Sequence, residues 1–419
     1  MSGVPSNKEA LLHRIYNQRR IAYLLIEQSR HLLKPGIPFS SELAKVFKKQ
    51  GNFGSKDRKL YRELIFTYVR YRNWLNEFAS DQDALMEAVI VLASPTSEVQ
   101  SLYPSLSDKR FANAEERYRH RLLSFEDSQL VELLPDWFLS HVNRHLSDQE
   151  VHSLLQRPPL WLRAQKGDTS TLLNQCQAAQ RKGEYDCQLH ADIPDAIHCP
   201  PDLALANIPA YADGALEVQD ISSQLILQLV PTEIKGKWLD ACAGAGGKTL
   251  QLAKMLGPNG QVTAFDTRPA ALRELGERNK RARFPNISIT TSRPDNSLFD
   301  GVLVDAPCSG SGTWRRHPFL KDQTSENTVM EFSERQLAIL KQYAGNVAIG
   351  GTLVYATCSL SRYENEHVVD SFLKSNKSGF EHIQAKTAFG LRDSGFGITI
   401  YPHDFNGDGL FVATMRRIK

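Results

Sequence analysis

The sequence predicts an α/β protein: a doubly wound, mostly parallel sheet preceded by a small α/β segment and an all-α region. Three observations carry this. From about residue 226, apolar strand-like runs alternate with helical patterns, as the βα units of a parallel sheet do. Up to about residue 150 the apolar spacing is helical throughout. Between the two lies Arg157-Pro158-Pro159, a break that no helix crosses.

The elements follow in order. Leu11, Leu12, Ile15, Ile21, Leu24 and Leu25 give residues 8–33 a helical spacing that Pro35-Gly36 stops. Asp57 stands where it would cap a second helix over 58–78, with apolar positions at Leu60, Leu64, Ile65, Tyr68 and Val69. Further helical patterns cover 83–93, 127–144 and 148–156. Leu160–Ala164 reads as a strand and 169–182 as a helix. In the C-terminal half, strands are expected at 238–241, 262–266, 287–290, 301–305 and 352–356, with helices at 248–256, 269–282, 330–348 and 364–374. The tail reads as an antiparallel pair, 397–401 with 410–416. Three domains result: 1–150, 151–225 and 226–419.

Composition narrows the function classes. With 41% hydrophobic and 23% charged residues, 419 positions suffice for a sizeable core. No apolar run reaches the 18 residues of a membrane span, and the start lacks the apolar core of a signal peptide. Six scattered cysteines without a Cys-x-x-Cys pair fit a reducing compartment and argue against a structural zinc. A cytoplasmic monomer without membrane association is expected. Net charge is +3, yet residues 1–76 carry roughly +10, the electrostatic footprint of a nucleic-acid-binding surface or a solvated helical face. Tyr61, Tyr68, Tyr71 and Trp74 lie among these charges, at the helical spacing typical of core.

Two short segments carry the chemistry, Asp305-Ala306-Pro307-Cys308-Ser309-Gly310 and Ala356-Thr357-Cys358-Ser359. Each follows an apolar run that reads as a buried strand. In an open α/β sheet, ligands collect beyond the carboxyl ends of the strands, so both thiols are expected in one crevice beside Asp305. That arrangement points to covalent thiolate catalysis, with either cysteine as the attacking group. Cys176, Cys187 and Cys199 read as buried small hydrophobes.

A third segment, Cys242-Ala243-Gly244-Ala245-Gly246-Gly247-Lys248, joins the first strand of the sheet to its helix. Small residues let a ligand approach the backbone, and a helix start leaves amides free. The spacing is not that of a P-loop. Asp266 ends the next strand, 19 residues after Gly247, where an acid grips ribose hydroxyls or caps the helix beginning at Pro269. A nucleoside cofactor is expected, S-adenosylmethionine or NAD.

These motifs resemble those of the RNA 5-methylcytosine methyltransferases, the Nol1/Nop2/Sun family. Both cysteine segments match in order, and the glycine loop is similar to that family's Cys-Ala-Ala-Pro-Gly-Gly-Lys. Val218-Gln219-Asp220, Arg315-Arg316-His317-Pro318, Glu364-Asn365-Glu366 and Asp408-Gly409-Leu410-Phe411 also fit. The pattern Asp57-Arg58…Arg62-Glu63-Leu64…Tyr68…Arg70 resembles a NusB-like RNA-binding domain found on a bacterial ribosomal-RNA member. The resemblance covers nearly the whole chain, most strongly from 157 onward.

It implies a Rossmann-like class I methyltransferase domain at 226–419 using S-adenosylmethionine, held by residues 242–248 (Cys242, Ala243, Gly244, Ala245, Gly246, Gly247, Lys248), Asp266 and Asp305. It implies Cys358 as the nucleophile on cytosine C6, Cys308 as helper in release of the C5 proton, and Asp305 on the base's N3/N4 edge. A thiolate is needed because cytosine C5 is too weakly nucleophilic unaided. The implied partner is RNA, with 16S ribosomal RNA expected and transfer RNA the alternative. The target base must leave its stack. Arg315 and Arg316 are candidates for flanking phosphates. An inactive RNA-binding assembly factor and an NAD oxidoreductase are the competing classes. One departure stands out: the family's third cofactor acid is missing, Thr290-Thr291-Ser292-Arg293 standing in its place, with Asp295 nearby.

Overall fold

A computed structural model describes residues 7–94, 96–102, 130–142, 144–180, 186–295, 297–375, 379–385 and 389–419. The chain forms two compact units, one of residues 1–136 with 317–324 and one of 137–316 with 325–419.

The first unit is helical. Its helices run Asn7–Ser29, Phe39–Gln50, Ser55–Arg70 and Gln82–Leu92, and Leu25, Leu64, Ile65, Val69, Leu85 and Val89 fill their shared interior. The helix expected to 33 tightens into a 3₁₀ turn after Ser29. The cap expected at Asp57 is Gly54 instead. Asp57 sits in the first turn, where a carboxylate suits the helix dipole, and accepts a bond from Gln18 Nε2 at 2.9 Å. The helix expected over 127–144 is broken. A 3₁₀ turn covers Leu130–Leu133, and a separate helix starts at Asp136 because Pro135 has no N–H to continue the ladder. Residues 127–129 lie outside the described residues. Tyr61, Tyr68, Tyr71 and Trp74 are all buried, so these aromatics are core.

Residues 317–324 complete this unit from far along the chain. Phe319 stacks on Phe39 with centroids 4.5 Å apart, and Lys321 donates to the Arg70 carbonyl at 2.9 Å.

The second unit holds two sheets. The smaller is antiparallel, in the order β2-β3-β1-β4, with β1 Leu160–Ala164, β2 Gln188–Leu189, β3 Ala196–Cys199 and β4 Leu216–Val218. Its interior includes Leu162, Ile197 and Leu216, together with the buried thiols of Cys176, Cys187 and Cys199, which contact one another.

The larger sheet has eight strands: β5 Lys237–Asp240, β6 Gln261–Phe265, β7 Ile287–Thr290, β8 Phe299–Asp305, β9 Val347–Thr357, β10 Phe380–Ile383, β11 Ile398–Ile400 and β12 Leu410–Arg417. The order is β10-β12-β9-β8-β5-β6-β7, with β11 also paired to β12. Strands β5 to β9 are parallel, and β10, β11 and β12 antiparallel. This is the doubly wound Rossmann-like sheet expected.

Successive residues point to opposite faces, and both faces are buried, as parallel sheets require. Trp238, Leu303 and Val354 enter one core; Leu239, Val302, Val304, Leu353 and Tyr355 enter the other. Gly301 lies opposite Trp238, and a Cβ there would come within 2.2 Å of the indole. The expected terminal hairpin is present, Ile398–Ile400 against Leu410–Val412.

Candidate active site

Strand register brings the two cysteine segments together. Asp305 of β8 lies beside Ala356 of β9, so Cys308 and Cys358, three and two residues further on, emerge at the same sheet edge. Ala306 N–H donates to the Ala356 carbonyl at 2.9 Å and Gly312 N–H to the Cys358 carbonyl at 3.0 Å. The two Sγ atoms stand 3.1 Å apart, each thiol half-buried.

The surroundings of the two sulfurs differ. The hydrogen bond to Cys358 pushes the Cys308 thiol well up; burial and the charges of Cys358 and Glu364 add to it. Cys308 therefore keeps its proton. Two cations lie near Cys358. Burial pulls Lys248 down, but its 2.8 Å ion pair with Asp305 and the Cys358 charge leave it above its ordinary value. Arg316 is likewise raised against its burial, by Asp408, Asp220 and Cys358. Lys248 and Arg316 thus place positive charge beside Cys358.

The glycine loop sits at the end of β5. Gly244 and Gly246 take φ of +53° and +91°, open to glycine but not to most residues. A Cβ on Gly246 would also fall 2.1 Å from Leu275 Cδ1. The loop is closed by Gly246 N–H to Ala243 O, 2.9 Å, and Ala243 N–H to Phe265 O, 2.9 Å. Gly246 then caps the helix Gly247–Leu256, whose first amides have no partner within the helix. A Cβ on Gly247 would meet only open space. Inside the loop, burial pushes Asp240 up to about 7 against the hydrogen bond from Thr249 Oγ1. Burial also pushes the Cys242 thiol up; the residue packs against the core and lines the cleft.

Asp266 holds the loop from the β6 side, where Gly244 N–H donates to Oδ2 at 2.8 Å. Arg268 binds the same carboxylate through its backbone N–H and its guanidinium. Burial opposes ionisation of Asp266, but these bonds hold it below the usual carboxylate range. The helix Pro269–Ala282 has Arg268 as its N-cap and no side-chain cap bond, so Asp266 does not cap it; the carboxylate instead joins the Gly244 and Arg268 amides.

Loop, strand ends and thiols line one cleft of about 780 Å³ that includes Gly244, Gly247, Asp266, Tyr343, Cys308 and Cys358. Its volume is that of a nucleoside-sized ligand site. A Gly-rich turn, a helix start and open space above Gly247 fit S-adenosylmethionine, with the thiols in the same cleft. Among the described residues no group of three or more His, Cys, Asp and Glu is arranged for a metal. No described helix is long and apolar enough to cross a membrane.

The sequence reading missed a network beneath the loop. Arg163 of β1 is fully buried and donates to Gln219 Oε1 at 2.5 Å, Gln165 Oε1 at 2.9 Å and the Gly247 carbonyl at 3.1 Å. Arg278 donates to the Ala245 carbonyl at 2.9 Å and pairs with the buried Glu217 of β4. Two loop carbonyls are thus gripped by cations tied to the small sheet. An arginine inside the apolar run Leu160-Trp161-Leu162-Arg163-Ala164 was the available signal.

One expectation is corrected. Arg315 is not a phosphate ligand: its buried guanidinium is taken up by the carbonyls of Gln156 and Gly407 and by Asn406 Oδ1. Arg316 is exposed on the cleft and pairs with Asp408. Asp295 does not stand in for the missing acid, because it is exposed, pairs with Arg293, and is absent from the cleft lining.

Comparison with known proteins decides the family. Residues 225–416 match the family model for the 16S rRNA methyltransferase RsmB/F. A probable ribosomal RNA small subunit methyltransferase B of Synechocystis sp. is 31% identical over 329 residues, 74% of this chain and 72% of that protein. The chain belongs to the RsmB/F methyltransferase family. A ribosomal RNA small subunit methyltransferase B of Klebsiella pneumoniae is 30% identical, over 73% of this chain and 68% of that protein. The crystal structure of PH0851 aligns with TM-score 0.71 over 96% of this chain and 98% of that one, at 20% identity. That of NSun6 from Pyrococcus horikoshii with SFG gives 0.58 over 68% and 98%, at 17%. The structural likenesses speak to the fold. Family membership makes the chain an S-adenosylmethionine-dependent RNA methyltransferase, so the inactive-factor and NAD readings fall away.

Proposed function

We propose that the protein methylates C5 of a cytosine in 16S ribosomal RNA through a covalent bond from Cys358 to C6 of the base. The carrying observation is the 3.1 Å approach of two thiols of which one holds its proton. The relatives that share the fold and motifs are named as small-subunit ribosomal RNA methyltransferases, which favours that RNA. The helical unit, with the basic surface of residues 1–76, is the RNA-binding module in this reading.

Bound S-adenosylmethionine supplies an electrophilic methyl group, and residues 242–248 and Asp266 are the ones to hold it. The Cys358 thiolate adds to C6, placing electron density on C5. Asp305, fixed by Lys248 and about a third exposed, faces the same cleft and accepts a hydrogen bond from the N4 amino group on the cytosine N3/N4 edge. The Cys308 proton has its main support in the charge and hydrogen bond of Cys358. Once Cys358 is bonded to carbon, that support is gone, and Cys308 ionises more readily, into the water of the cleft. It then takes the C5 proton. The C–S bond breaks with its electron pair returning to Cys358, and the newly protonated Cys308 can donate to the restored thiolate. The cycle ends with the C5 proton replaced by a methyl group, one proton released to water, Cys308 again protonated and Cys358 again a thiolate.

Replacing the two cysteines separately tests this. Cys358→Ser is expected to abolish methylation and to form no adduct. Cys308→Ser is expected to accumulate a protein–RNA complex that survives a denaturing gel. A complex trapped by the Cys358 variant would reverse the assignment. Bisulfite sequencing of small-subunit ribosomal RNA from cells with and without the gene tests the target; an unchanged pattern excludes it.

A further inference from the structure

The two thiols come from loops 50 residues apart, yet one buried carboxylate binds both loops. Glu364 is fully inaccessible. Its Oε1 accepts from the Ser309 N–H at 2.8 Å and from Gln336 Nε2 at 3.0 Å. Its Oε2 accepts from Ser309 Oγ and Ser359 Oγ, both at 2.5 Å. Ser309 follows Cys308 and Ser359 follows Cys358, so one side chain grips the residue next to each sulfur. Four donors and no cation satisfy the group. Burial pushes it above its ordinary value, while the bonds from Ser309, Ser359 and Gln336 pull the other way.

The neighbours tighten the same joint. Gln336 Nε2 also donates to the Pro307 carbonyl at 2.9 Å, immediately before Cys308. Ser311 Oγ lies 3.1 Å from Ser359 Oγ and accepts from the Leu360 N–H at 2.9 Å. Tyr355, in the strand leading to Cys358, donates to the Glu364 carbonyl at 2.6 Å. Asn365 donates to the Ser359 carbonyl at 2.9 Å and accepts from Thr357 Oγ1 at 2.6 Å. Every link reaches a residue within three positions of Cys308 or Cys358.

We infer that Glu364 is the positioning residue of the two-thiol centre: its carboxylate holds the Cys308 and Cys358 loops together, so that the sulfurs sit within contact distance. It touches neither base nor sulfur in this role. Its kinetic consequence rests on the covalent reading proposed above, whereas its geometric consequence does not. Free loops would let the sulfurs separate, and a separation of about 1 Å at a reacting centre is enough to slow chemistry some hundredfold.

Thiol proximity can be measured without catalysis. The full-length protein is equilibrated with reduced and oxidised glutathione, where glutathione disulfide takes the two electrons and two protons of Cys308 and Cys358. The disulfide fraction is read by mass spectrometry after alkylation. That equilibrium reports the effective concentration of one thiol at the other. Glu364→Ala is expected to lower it at least tenfold. Glu364→Gln, whose carbonyl still accepts from Ser309 N–H and Gln336, is expected to fall between the variant and the native protein. Both are expected to bind S-adenosylhomocysteine with native affinity by calorimetry, and to lose methyl-transfer kcat in proportion to the thiol equilibrium at unchanged KM for the methyl donor.

A Glu364 that only supported the fold would lower the melting temperature and leave the thiol equilibrium of the folded protein within twofold of native; that result overturns the inference. If Glu364→Ala does not fold, the same reading applies to Glu364→Gln and Ser359→Ala. A shifted thiol equilibrium with undiminished methyl transfer would uphold the positioning role and overturn the covalent reading instead.

Discussion

Replacing Arg163 by Met tests whether the small sheet steadies the cofactor loop. The substitution keeps an unbranched apolar stem and deletes the guanidinium. Three hydrogen bonds from a charged donor are lost, to Gln219, Gln165 and the Gly247 carbonyl. Each contributes about 1.5–3 kcal/mol, together roughly 5–9 kcal/mol. Against this stands the cost of burying the cation: desolvation, only partly offset by Glu217 and Asp195, pulls Arg163 down to about 10. Relieving a shift of some two to three pH units returns about 3 kcal/mol. The net loss is on the order of 4 kcal/mol, a fall of roughly 10 °C in melting temperature for a unit of this size. Scanning calorimetry measures it. Freed of its anchor, the Gly247 carbonyl no longer fixes the loop, and S-adenosylhomocysteine is expected to bind about tenfold more weakly, near 1.4 kcal/mol. A protein that melts as reckoned but binds within twofold of native would refute the loop-steadying role. An unchanged melting temperature would refute the burial argument itself.

Two further expectations concern the same loop. Gly246→Ala combines a φ of +91° with a Cβ 2.1 Å from Leu275 Cδ1, so it is expected to cost about 2–4 kcal/mol and to abolish cofactor binding in calorimetry; near-native affinity would show that the loop tolerates another path. Asp240, raised to about 7 chiefly by burial, contributes stability that is fully present below its unfolded value near ~4 and is lost as pH rises through 7. The native protein should therefore lose up to roughly 4 kcal/mol from this group between pH 4 and 8, and Asp240→Asn should flatten that slope in urea titrations; parallel slopes would contradict it.

What was legible in the sequence follows from local pattern. Helix 269–282 and strand 287–290 were readable to the residue, because Pro269 opens the one and short apolar alternation marks the other. The convergence of Cys308 and Cys358 was readable because a parallel sheet sends every strand's carboxyl end to one edge. Long-range pairings were not readable. Nothing local in Arg315 distinguishes it from Arg316, yet one is buried against Asn406 and Gly407 while the other opens onto the cleft. Nothing local predicts that Phe319, between two catalytic-sheet elements, stacks in the helical unit. Glu364 was visible only as part of a motif, because its partners lie 55 residues upstream, 28 upstream and 5 upstream.

The order of the two thiols shows why geometry alone is insufficient. At 3.1 Å the sulfurs are interchangeable by distance. Their surroundings are not. The charge of Glu364 adds to the Cys358 bond and the burial that keep the Cys308 proton in place. Lys248 and Arg316 both gain from a charge on Cys358. The proton of Cys308 is therefore firmly held. The same field explains the sequence of events in the proposed reaction. An alkylated Cys358 no longer carries charge, so the largest influence holding the Cys308 proton disappears only after the first bond has formed. Proton acceptance by Cys308 is thereby tied to the adduct rather than to the resting enzyme. A Cys308→Ser side chain, with a hydroxyl far less acidic than a thiol, would retain the hydrogen bond to the thiolate but not the later ionisation. That difference is why the trapped complex is expected from this variant and not from Cys358→Ser.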